Sequence, residues 1–415
     1  MSVFQYHQNV LHIESVSAQK LIQAHGSPLY VYSRQSIEQA WHGYADTLGD
    51  RGLVCYAVKA NANLAVLNIL ARLGSGFDIV SVGELERVLA AGGQADKVVF
   101  SGVAKQAHEM TRALEVGIRC FNVESLAELR VLNQVAGQMD LMAPVSIRVN
   151  PDVDAKTHPY ISTGLKHNKF GVDIRHAEQV YHEADRLPHI RIVGVDCHIG
   201  SQITTLEPFM DALDRLLQLV DRLADQGIVL EHLDLGGGIG VQYQESETVP
   251  ELSEYVRQIL AKVGQRPQHL IFEPGRSIVA KAGVFLTSVV YLKETEEHHF
   301  AIVDGGMNDL IRPALYQAWQ EIKPVVQREG AGVRWDVVGP ICETGDFLAH
   351  DRLLTLDQGD IVAVMDSGAY GFAMSSNYNA RNRVAELIVD GDRVHVARRR
   401  ETIEDQMALE TPLTG

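Results

Sequence analysis

The first two thirds of the chain alternate between two sequence patterns, and this alternation constrains the fold more than any other feature. Short apolar runs rich in β-branched residues are typical of buried strands. They cover residues 53–58, 77–81, 97–101, 119–123, 145–149, 192–197, 231–235 and 269–273. Helical patterns fill most of the intervals, at residues 64–73, 83–91, 106–116, 125–136, 174–186, 206–226 and 250–263. Eight such units predict an α/β fold, a (β/α)₈ barrel of the TIM type, with a doubly wound open sheet as the alternative.

The pattern changes after residue 283, where predicted strands are separated by Gly, Asp and Pro turns. These strands cover residues 285–292, 300–303, 333–338, 360–365, 383–389 and 393–397. Asp390-Gly391-Asp392 is typical of a tight hairpin turn. We therefore predict that residues 37–283 form the barrel and residues 284–415 an all-β sandwich or barrel domain. We expect residues 1–36 to pack with that β domain.

Charge and cysteine content exclude several classes of protein. The 415 residues include 37 basic and 53 acidic side chains, and a formal charge of -16 disfavours nucleic acid or an anionic membrane as a partner. We find no apolar run of membrane-spanning length and no secretion signal, so we expect a cytoplasmic protein. The cysteines Cys55, Cys120, Cys197 and Cys342 are widely scattered. Their spacing predicts reduced thiols and no metal site.

Lys59 stands at the end of the first predicted strand, directly after a buried apolar run. An ammonium group in such a position is costly to desolvate unless it has a function. A desolvated lysine loses its proton more readily and can form a Schiff base with an aldehyde. The alternative is a lysine that merely begins a solvated loop.

Polar residues that follow the strands of such a barrel share one rim, where these folds carry out their chemistry. Here they are Lys59, Ser81, Ser101, Gly102, Asn122 to Glu124, Arg148 to Asn150, His198 to Ser201, Gly236 to Gly238 and Glu273 to Arg276. The rim thus collects a nucleophile, a glycine-rich loop, a carboxylate, an arginine and a histidine. This agreement among the strand ends favours a functional Lys59.

Two of these loops have the composition of a phosphate site. The N–H groups of Gly236-Gly237-Gly238 could form an anion nest, although the spacing does not fit the dinucleotide fingerprint and a plain tight turn is the alternative. Glu273-Pro274-Gly275-Arg276 follows the next strand, and loops after strands seven and eight usually form the phosphate corner. Glu273 could keep a pyridine nitrogen protonated or pair with Arg276. His198 could stack on a cofactor ring or be a core histidine.

A set of short motifs occurs in order along nearly the whole chain. They are Tyr56-Ala57-Val58-Lys59-Ala60-Asn61, Gly76-Phe77-Asp78, His198-Ile199-Gly200-Ser201, Gly236-Gly237-Gly238, Glu273-Pro274-Gly275-Arg276, Cys342-Glu343 and Ser367-Gly368-Ala369-Tyr370. Together they resemble the fold-type III pyridoxal-phosphate decarboxylases, which have an alanine racemase-like barrel. The likeness is greatest to members that convert meso-2,6-diaminopimelate to L-lysine and carbon dioxide, the last step of lysine biosynthesis.

The resemblance implies a role for each matching residue. Lys59 would carry pyridoxal 5'-phosphate, His198 would stack on its ring, and Glu273 would pair with its nitrogen. The residues that would bind its phosphate are Ser201, Gly236, Gly237, Gly238, Gly275, Arg276 and Tyr370.

The same resemblance implies how the substrate is held. Arg276, Arg312 and Tyr316 would hold its distal carboxylate, with Tyr370 also in contact. Glu343 would hold the distal ammonium, and Cys342 would donate the proton that replaces carbon dioxide. In the family Cys342 and Glu343 reach into the partner subunit's site, which implies a homodimer with shared active sites. Thr344 is a small departure, because serine is common there.

Three other readings remain. The first is a related decarboxylase acting on ornithine, arginine, lysine or carboxynorspermidine; the ornithine enzymes have aspartate where this chain has Glu343. The second is an amino-acid racemase, which would have a tyrosine in place of Cys342. The third is a non-catalytic relative that only binds partners, which would be expected to lose Lys59 or Cys342.

Overall fold

The computed structural model describes residues 3–154 and 169–413. Its secondary structure begins with β1 (Phe4–His7), β2 (Val10–Ile13), β3 (Val16–Ser17), α1 (Ala18–His25) and β4 (Leu29–Ser33). The alternating stretch holds α2 (Arg34–Leu48), β5 (Gly52–Ala57), α3 (Leu64–Arg72), β6 (Gly76–Ile79), α4 (Val82–Ala90), β7 (Val98–Phe100), α5 (Ala107–Val116), β8 (Cys120–Val123), α6 (Leu126–Gln138), β9 (Ala143–Asn150), β10 (Val172–Asp173), α7 (Ile174–Asp185), β11 (Ile190–Asp196), α8 (Glu207–Asp225), β12 (His232–Asp234), α9 (Leu252–Val263), β13 (His269–Phe272) and α10 (Arg276–Val279). The last stretch holds β14 (Gly283–Glu294), β15 (His299–Val303), α11 (Arg312–Tyr316), β16 (Ile322–Pro324), β17 (Val333–Val338), β18 (Phe347–Leu354), β19 (Ile361–Val364), β20 (Ala385–Asp390), β21 (Arg393–Arg398) and α12 (Ile403–Met407).

Within the described residues, eight parallel strands close into a barrel. The order runs β5-β6-β7-β8-β9-β11-β12-β13, and β13 pairs back onto β5. Each strand lies within two residues of a run predicted from the sequence. The barrel prediction is therefore confirmed. The doubly wound open sheet is wrong, because an open sheet ends in two edge strands, whereas here the ring of paired strands is closed.

The barrel strands are buried on both faces, which explains their unbroken apolar sequences. A cluster inside the barrel joins the side chains of Cys55, Val99, Cys120, Val193 and Ile271. The surrounding helices bury one face each against the strands, as amphipathic helices do. Two of them begin with a serine cap: Ser81 accepts from the N–H of Glu84, and Ser125 from that of Glu128. Such caps set the helix starts just after the strand ends that form the rim.

The chain divides into two units. The barrel unit is Glu38–Gln242 with Thr248–Ile278, and the β unit is Met1–Ile37, Tyr243–Glu247 and Val279–Gly415. In the β unit, the sheet order is β18-β17-β15-β14-β4-β20-β21, with β16 and β19 attached through β14. Strand β4 pairs with both β14 and β20. The predicted all-β character of the C-terminal part is confirmed.

Five strands of the β unit were not predicted from the sequence: β1, β2 and β3 near the start of the chain, and β16 and β18 in the C-terminal part. Strand β18 carries His350, Asp351 and Arg352 in its middle, and β16 is only three residues long and ends in Pro324. Charged side chains on the exposed side of β18 hide its alternation, and a short strand with a proline reads as a turn. The hairpin at Gly391 is confirmed, since Asp390 pairs with Arg393 across it.

In the part of the chain that the structure describes, no helix has the length and apolar character that a membrane crossing requires.

Candidate active site

Lys59 lies on a one-turn 3₁₀ helix, Val58–Ala60, directly after barrel strand β5. Its ammonium is 3.0 Å from Oδ2 of Asp78, which is fully buried at the end of the neighbouring strand β6. The Lys59 side chain is 41% exposed. The expected desolvation of the lysine is therefore wrong for the protein alone: a buried carboxylate holds its charge at an open rim.

The loop after β13 lies directly against the Lys59 turn. The N–H of Ala57 donates to the carbonyl of Pro274 at 3.1 Å. A Cβ on Gly275 would lie 3.0 Å from the Cβ of Ala60. Glycine at position 275 thus allows the Glu273 to Arg276 loop to approach the lysine, as the rim prediction requires.

The triple-glycine loop after β12 has a backbone that other residues rarely adopt. Gly236 and Gly238 have φ angles of +63° and +118°. A Cβ on Gly237 would lie 2.2 Å from the carbonyl oxygen of Glu273, so the two neighbouring loops are in backbone contact. The glycines of this loop thus permit a close approach of main chain to main chain.

The loop after β11 is joined to the glycine loop. His198 Nδ1 accepts the N–H of Gly237 at 3.2 Å, and Ile203 pairs with Ile239 as an isolated parallel bridge. Burial lowers the pKa of His198 well below its usual range, and the cations Arg148 and Lys59 lower it further. His198 is therefore neutral, with Nδ1 as the acceptor and a flat ring held beside the glycines.

Arg276 joins these loops from the start of α10. Its Nε and Nη2 donate to the hydroxyl of Ser201 at 3.3 and 3.1 Å. Ser201 follows Gly200, whose carbonyl oxygen would lie 2.4 Å from a Cβ on Gly238. A serine hydroxyl, a buried guanidinium and glycine N–H groups thus come together, which is the donor set that a phosphate group needs.

Glu273 belongs to a cluster of buried acids at the same end of the barrel. Oxygens of Asp196, Asp234 and Glu273 all lie within 4.8 Å of one another. The Asn122 amide donates to Asp234 at 3.4 Å and to Glu273 at 3.3 Å. Arg148 lies 3.7 Å from Asp196. Because the Asn122 amide donates to two of the acids and the Arg148 cation lies near the third, we interpret the cluster as a polar group paired within the protein rather than a metal site.

Burial raises the pKa of each acid in the cluster. For Glu273 and Asp196 it lies well above the usual range, and the negative charge of Asp234 raises both further. Burial raises the pKa of Asp234 to about 7, although the N–H of Gly236 opposes the shift. Three acids this close cannot all be ionised, so the cluster keeps at least one proton near neutral pH.

The β unit holds the remaining residues that the sequence analysis assigned to the site. Arg312 is buried at the start of α11, with its guanidinium 4.9 Å from the centre of the Tyr243 ring. Tyr316 ends the same helix, and Tyr370 has a φ angle of +56°.

Cys342 and Glu343 lie on an exposed turn of the β unit. Asp346 holds this turn from within, because it accepts the N–H groups of Ile341 at 2.7 Å and Met307 at 2.6 Å. The N–H of Cys342 donates to Asn379 at 2.7 Å. The thiol and the carboxylate are thus presented outward on a fixed backbone.

Several residues of the barrel site received no role from the sequence. Asp78, Asp196 and Asp234 each lie within an apolar strand sequence, as in Phe77-Asp78-Ile79. An acid inside such a run is costly unless it is paired, so this was a usable signal. Asn122 and Arg148 were placed on the rim by the sequence, but their contacts with the acids depend on the barrel closing.

The barrel site fits pyridoxal phosphate in its chemistry. It offers a primary amine on the rim, a buried carboxyl for a ring nitrogen, and a glycine loop with Ser201 and Arg276 for a phosphate. Residues 34–280 match the family model described as the pyridoxal binding domain of pyridoxal-dependent decarboxylases. Barrel, site and family model together define this class of enzyme.

Comparison with full-length relatives narrows the class. The diaminopimelate decarboxylase of Pseudomonas aeruginosa is 60% identical over 414 residues, and that of Vibrio cholerae is 58% identical, each covering all of both chains. The crystal structure of the Helicobacter pylori diaminopimelate decarboxylase complexed with L-lysine superposes with a TM-score of 0.91 at 43% identity, over 94% of this chain and 98% of that one. The chain belongs to the diaminopimelate decarboxylase family of the pyridoxal-dependent decarboxylases.

Proposed function

We propose that this chain removes one carboxyl group from meso-2,6-diaminopimelate as carbon dioxide and releases L-lysine, as a pyridoxal-phosphate enzyme. The observation that carries the proposal is the rim of the barrel. An amine, a neutral histidine, an acid cluster and a glycine loop meet there, in a chain 60% identical along its whole length to a diaminopimelate decarboxylase. A relative from Helicobacter pylori has been crystallised with L-lysine.

The barrel residues would hold the cofactor. Lys59 would carry it, and the N–H groups of the 236–238 loop, with Ser201, Gly275, Arg276 and Tyr370, would bind its phosphate. His198 is neutral, so it can lie against an aromatic ring without placing a positive charge beside it. When bound, pyridoxal phosphate supplies an electron sink for the pair of electrons left by carbon dioxide.

Glu273 would act on the ring nitrogen of the cofactor. Its carboxyl is buried among other acids, and this negative surrounding favours a proton on any basic nitrogen placed beside it. Asp78 has a separate role at the amine. Its carboxyl would hold the Lys59 side chain at the rim, where the cofactor would be carried.

The β unit would read the end of the substrate that does not react. This end carries both a carboxylate and an ammonium, so it needs a cation and an anion for recognition. Arg312, with Arg276 and Tyr316, would meet the carboxylate, and Glu343 the ammonium. A basic amino acid without a distal carboxylate leaves the buried Arg312 poorly matched, which disfavours ornithine as a substrate.

Cys342 would deliver the proton that replaces carbon dioxide. Its turn is exposed, and Asp346 fixes the backbone of that turn. We propose that the turn completes the site of a second copy of the chain, so that the enzyme is a homodimer with two shared sites.

A formal charge of -16 does not suit nucleic acid as a partner. The free state of Cys55, Cys120, Cys197 and Cys342 supports a reducing compartment, the cytoplasm.

A substrate panel tests the proposed reaction. Purified protein loaded with pyridoxal phosphate is incubated with meso-diaminopimelate, ornithine, arginine or lysine, and carbon dioxide and product are measured. We expect one L-lysine per carbon dioxide from diaminopimelate and little release from the others. Preferred release from ornithine would instead support the related decarboxylases, and interconversion of stereoisomers without release would support a racemase.

A further inference from the structure

Asp234 is a buried acid that the proposed reaction does not yet use. It ends β12 and has no exposed surface. One carboxyl oxygen accepts the N–H of Gly236 at 3.0 Å, and the other accepts the Asn122 amide at 3.4 Å. Its carboxyl lies within 4.8 Å of that of Glu273. Asp234 therefore links the glycine loop to the acid that would face the cofactor ring.

Two buried carboxyls this close retain a proton, because two ionised carboxylates would repel each other in a site with little water to screen them. Asn122 fixes the orientation of both, since the same amide group donates to Asp234 and to Glu273. Ser101 in turn accepts from the Asn122 amide at 3.1 Å. The pair is thus held from β7 and β8 as well as from its own strands.

We propose that Asp234 is a positioning residue for Glu273: the two carboxyls share one proton in the cofactor-free protein, and Asp234 fixes the Glu273 carboxyl toward the ring nitrogen. Only this last clause rests on the proposed function. A carboxyl held by a fixed partner keeps one orientation. The Glu273 carboxyl would therefore already be oriented when the cofactor binds.

Other charged and titratable groups surround the pair from each neighbouring strand. They are Cys55 and Lys59 from β5 and its turn, Asp78 from β6, Cys120 from β8, Arg148 from β9, Asp196 from β11 and His198 from the loop after it. The acids Asp78 and Asp196 favour retention of the proton, whereas Lys59 opposes it. Arg148 is positive and is occupied with Glu124 and Asp196.

The shared proton has a consequence for stability that can be measured without cofactor or substrate. Burial raises the pKa of Asp234 to about 7, whereas an unfolded aspartate ionises near 4. Between these values the folded protein keeps a proton that the unfolded chain has lost. Because the folded state binds more protons, the stability of the cofactor-free protein decreases as the pH rises through this range.

The test compares Asp234→Asn with wild type and with a matched control. Asp221→Asn makes the same change on the barrel unit, at an exposed acid whose pKa is lowered by its hydrogen bond with Arg266. Denaturant unfolding of each cofactor-free protein is followed from pH 5 to pH 8. From pH 5 to pH 8 we expect the unfolding equilibrium constants of wild type and Asp221→Asn to rise. Their rise should exceed that of Asp234→Asn by a factor of at least about ten, since one pKa unit is a factor of ten.

Two further readouts distinguish positioning from simple packing. Asp234→Asn should weaken pyridoxal-phosphate binding, followed by absorbance, and should lower kcat with little change in KM, because Asp234 contacts no substrate in this account. If Asp234→Asn does not fold, Glu273→Gln replaces it in the unfolding experiment. Glu273→Gln keeps an N–H donor toward Asp234, and it should make the stability less dependent on pH in the same way.

Parallel pH dependences in wild type and in whichever variant folds would overturn the proposal. So would unchanged cofactor binding and kcat in Asp234→Asn. The pH experiment needs no substrate, so it stands even if the protein released no carbon dioxide from diaminopimelate; that result would remove the proposed function and leave the shared proton in place.

Discussion

Glu343 is an exposed side chain on a backbone that is fixed from below. Asp346 is buried. It accepts the N–H group of Ile341 in the turn and that of Met307 beside the turn. Substitution of an exposed side chain on such a turn changes stability by about 0.5 kcal/mol or less. Kinetic changes at this position can therefore be assigned to lost function rather than to unfolding.

We expect Glu343→Asp to lower kcat/KM for diaminopimelate. Removal of one methylene moves the carboxylate away from the distal ammonium and weakens one charged hydrogen bond, by about 1–3 kcal/mol. Steady-state kinetics measures the change, with Glu297→Asp as the control at another exposed position of the β unit. Equal kinetics for wild type and Glu343→Asp would remove Glu343 from substrate recognition.

Lys59 and Asp78 show what the sequence can predict about single residues. Lys59 was predicted because it follows an apolar run, and position after a strand is a local property. Its partner is 19 residues away and adjacent only because Ala57 and Asp78 are paired in the parallel register of β5 and β6. Register between parallel strands depends on the whole barrel. An acid within an apolar run could be recognised from the sequence, but which of Asp78, Asp196 and Asp234 lies beside Lys59 could not.

Among the elements of the barrel, the loop after β12 and the loop after β13 are in direct backbone contact. Gly237 lies so close to the carbonyl of Glu273 that a methyl group would overlap with it. The Asn122 amide, which donates to Asp234 on β12 and to Glu273 after β13, also links the two strand ends. A change in one loop must therefore displace the other.

Gly237→Ala should reduce cofactor affinity by at least about tenfold. The added Cβ would lie 2.2 Å from a backbone oxygen, and relief of such overpacking costs about 1–3 kcal/mol or more. Absorbance titration with pyridoxal phosphate measures the effect. Gly83→Ala is the control: in α4 its Cβ meets only Ser81 Oγ, at 3.7 Å, and alanine suits a helix. Normal cofactor binding by Gly237→Ala would show that this loop does not shape the site.

The start of α6 is held by a buried ion pair. The Lys105 ammonium donates to Glu128 at 2.6 Å and to the carbonyl oxygens of Gly102 and Asn122, both at 2.7 Å. Glu128 also accepts the N–H of Glu124 at 2.9 Å. These contacts fix the ends of β7 and β8, from which Ser101 and Asn122 reach the acid pair.

We expect Lys105→Met to destabilise the protein by about 3–5 kcal/mol, because it leaves the buried Glu128 carboxylate without its cation. The double variant Lys105→Met with Glu128→Gln should recover part of this loss, since no charge is then left unpaired. Denaturant unfolding of the two variants and wild type gives the comparison. A double variant less stable than Lys105→Met would contradict this account of the pair.

Elements were predicted well where their pattern is local. All eight barrel strands follow from apolar runs, because strands buried on both faces have no polar side to interrupt them. Strand β18 was not found, since its exposed residues His350 and Asp351 resemble a loop. The contacts of Lys105 were also not predictable, as they join residues up to 23 positions apart.

Across the whole molecule, the proposed homodimer would give the exposed turn that carries Cys342 a function. In the proposed two-fold dimer each site would be built from the barrel of one chain and the turn of the other, and both sites would form at once. The sequence could suggest this only through resemblance, because interfaces between copies leave no periodic pattern.

Mixing two inactive variants tests the shared site. Lys59→Ala and Cys342→Ala are each expected to be nearly inactive. If they are dissociated and mixed in equal amounts, random pairing makes about half of the dimers mixed, and each mixed dimer has one site with both native residues. Activity should return to about a quarter of the wild-type level. If a tag confirms exchange and no activity returns, Lys59 and Cys342 belong to the same chain's site.

Chemical trapping shows which lysine carries the cofactor. The protein is loaded with pyridoxal phosphate, reduced with borohydride, digested and mapped by mass spectrometry. We expect one pyridoxyl group per chain, on the peptide that contains Lys59, and its loss in Lys59→Ala. A label on another lysine, such as the buried Lys105, would contradict the account.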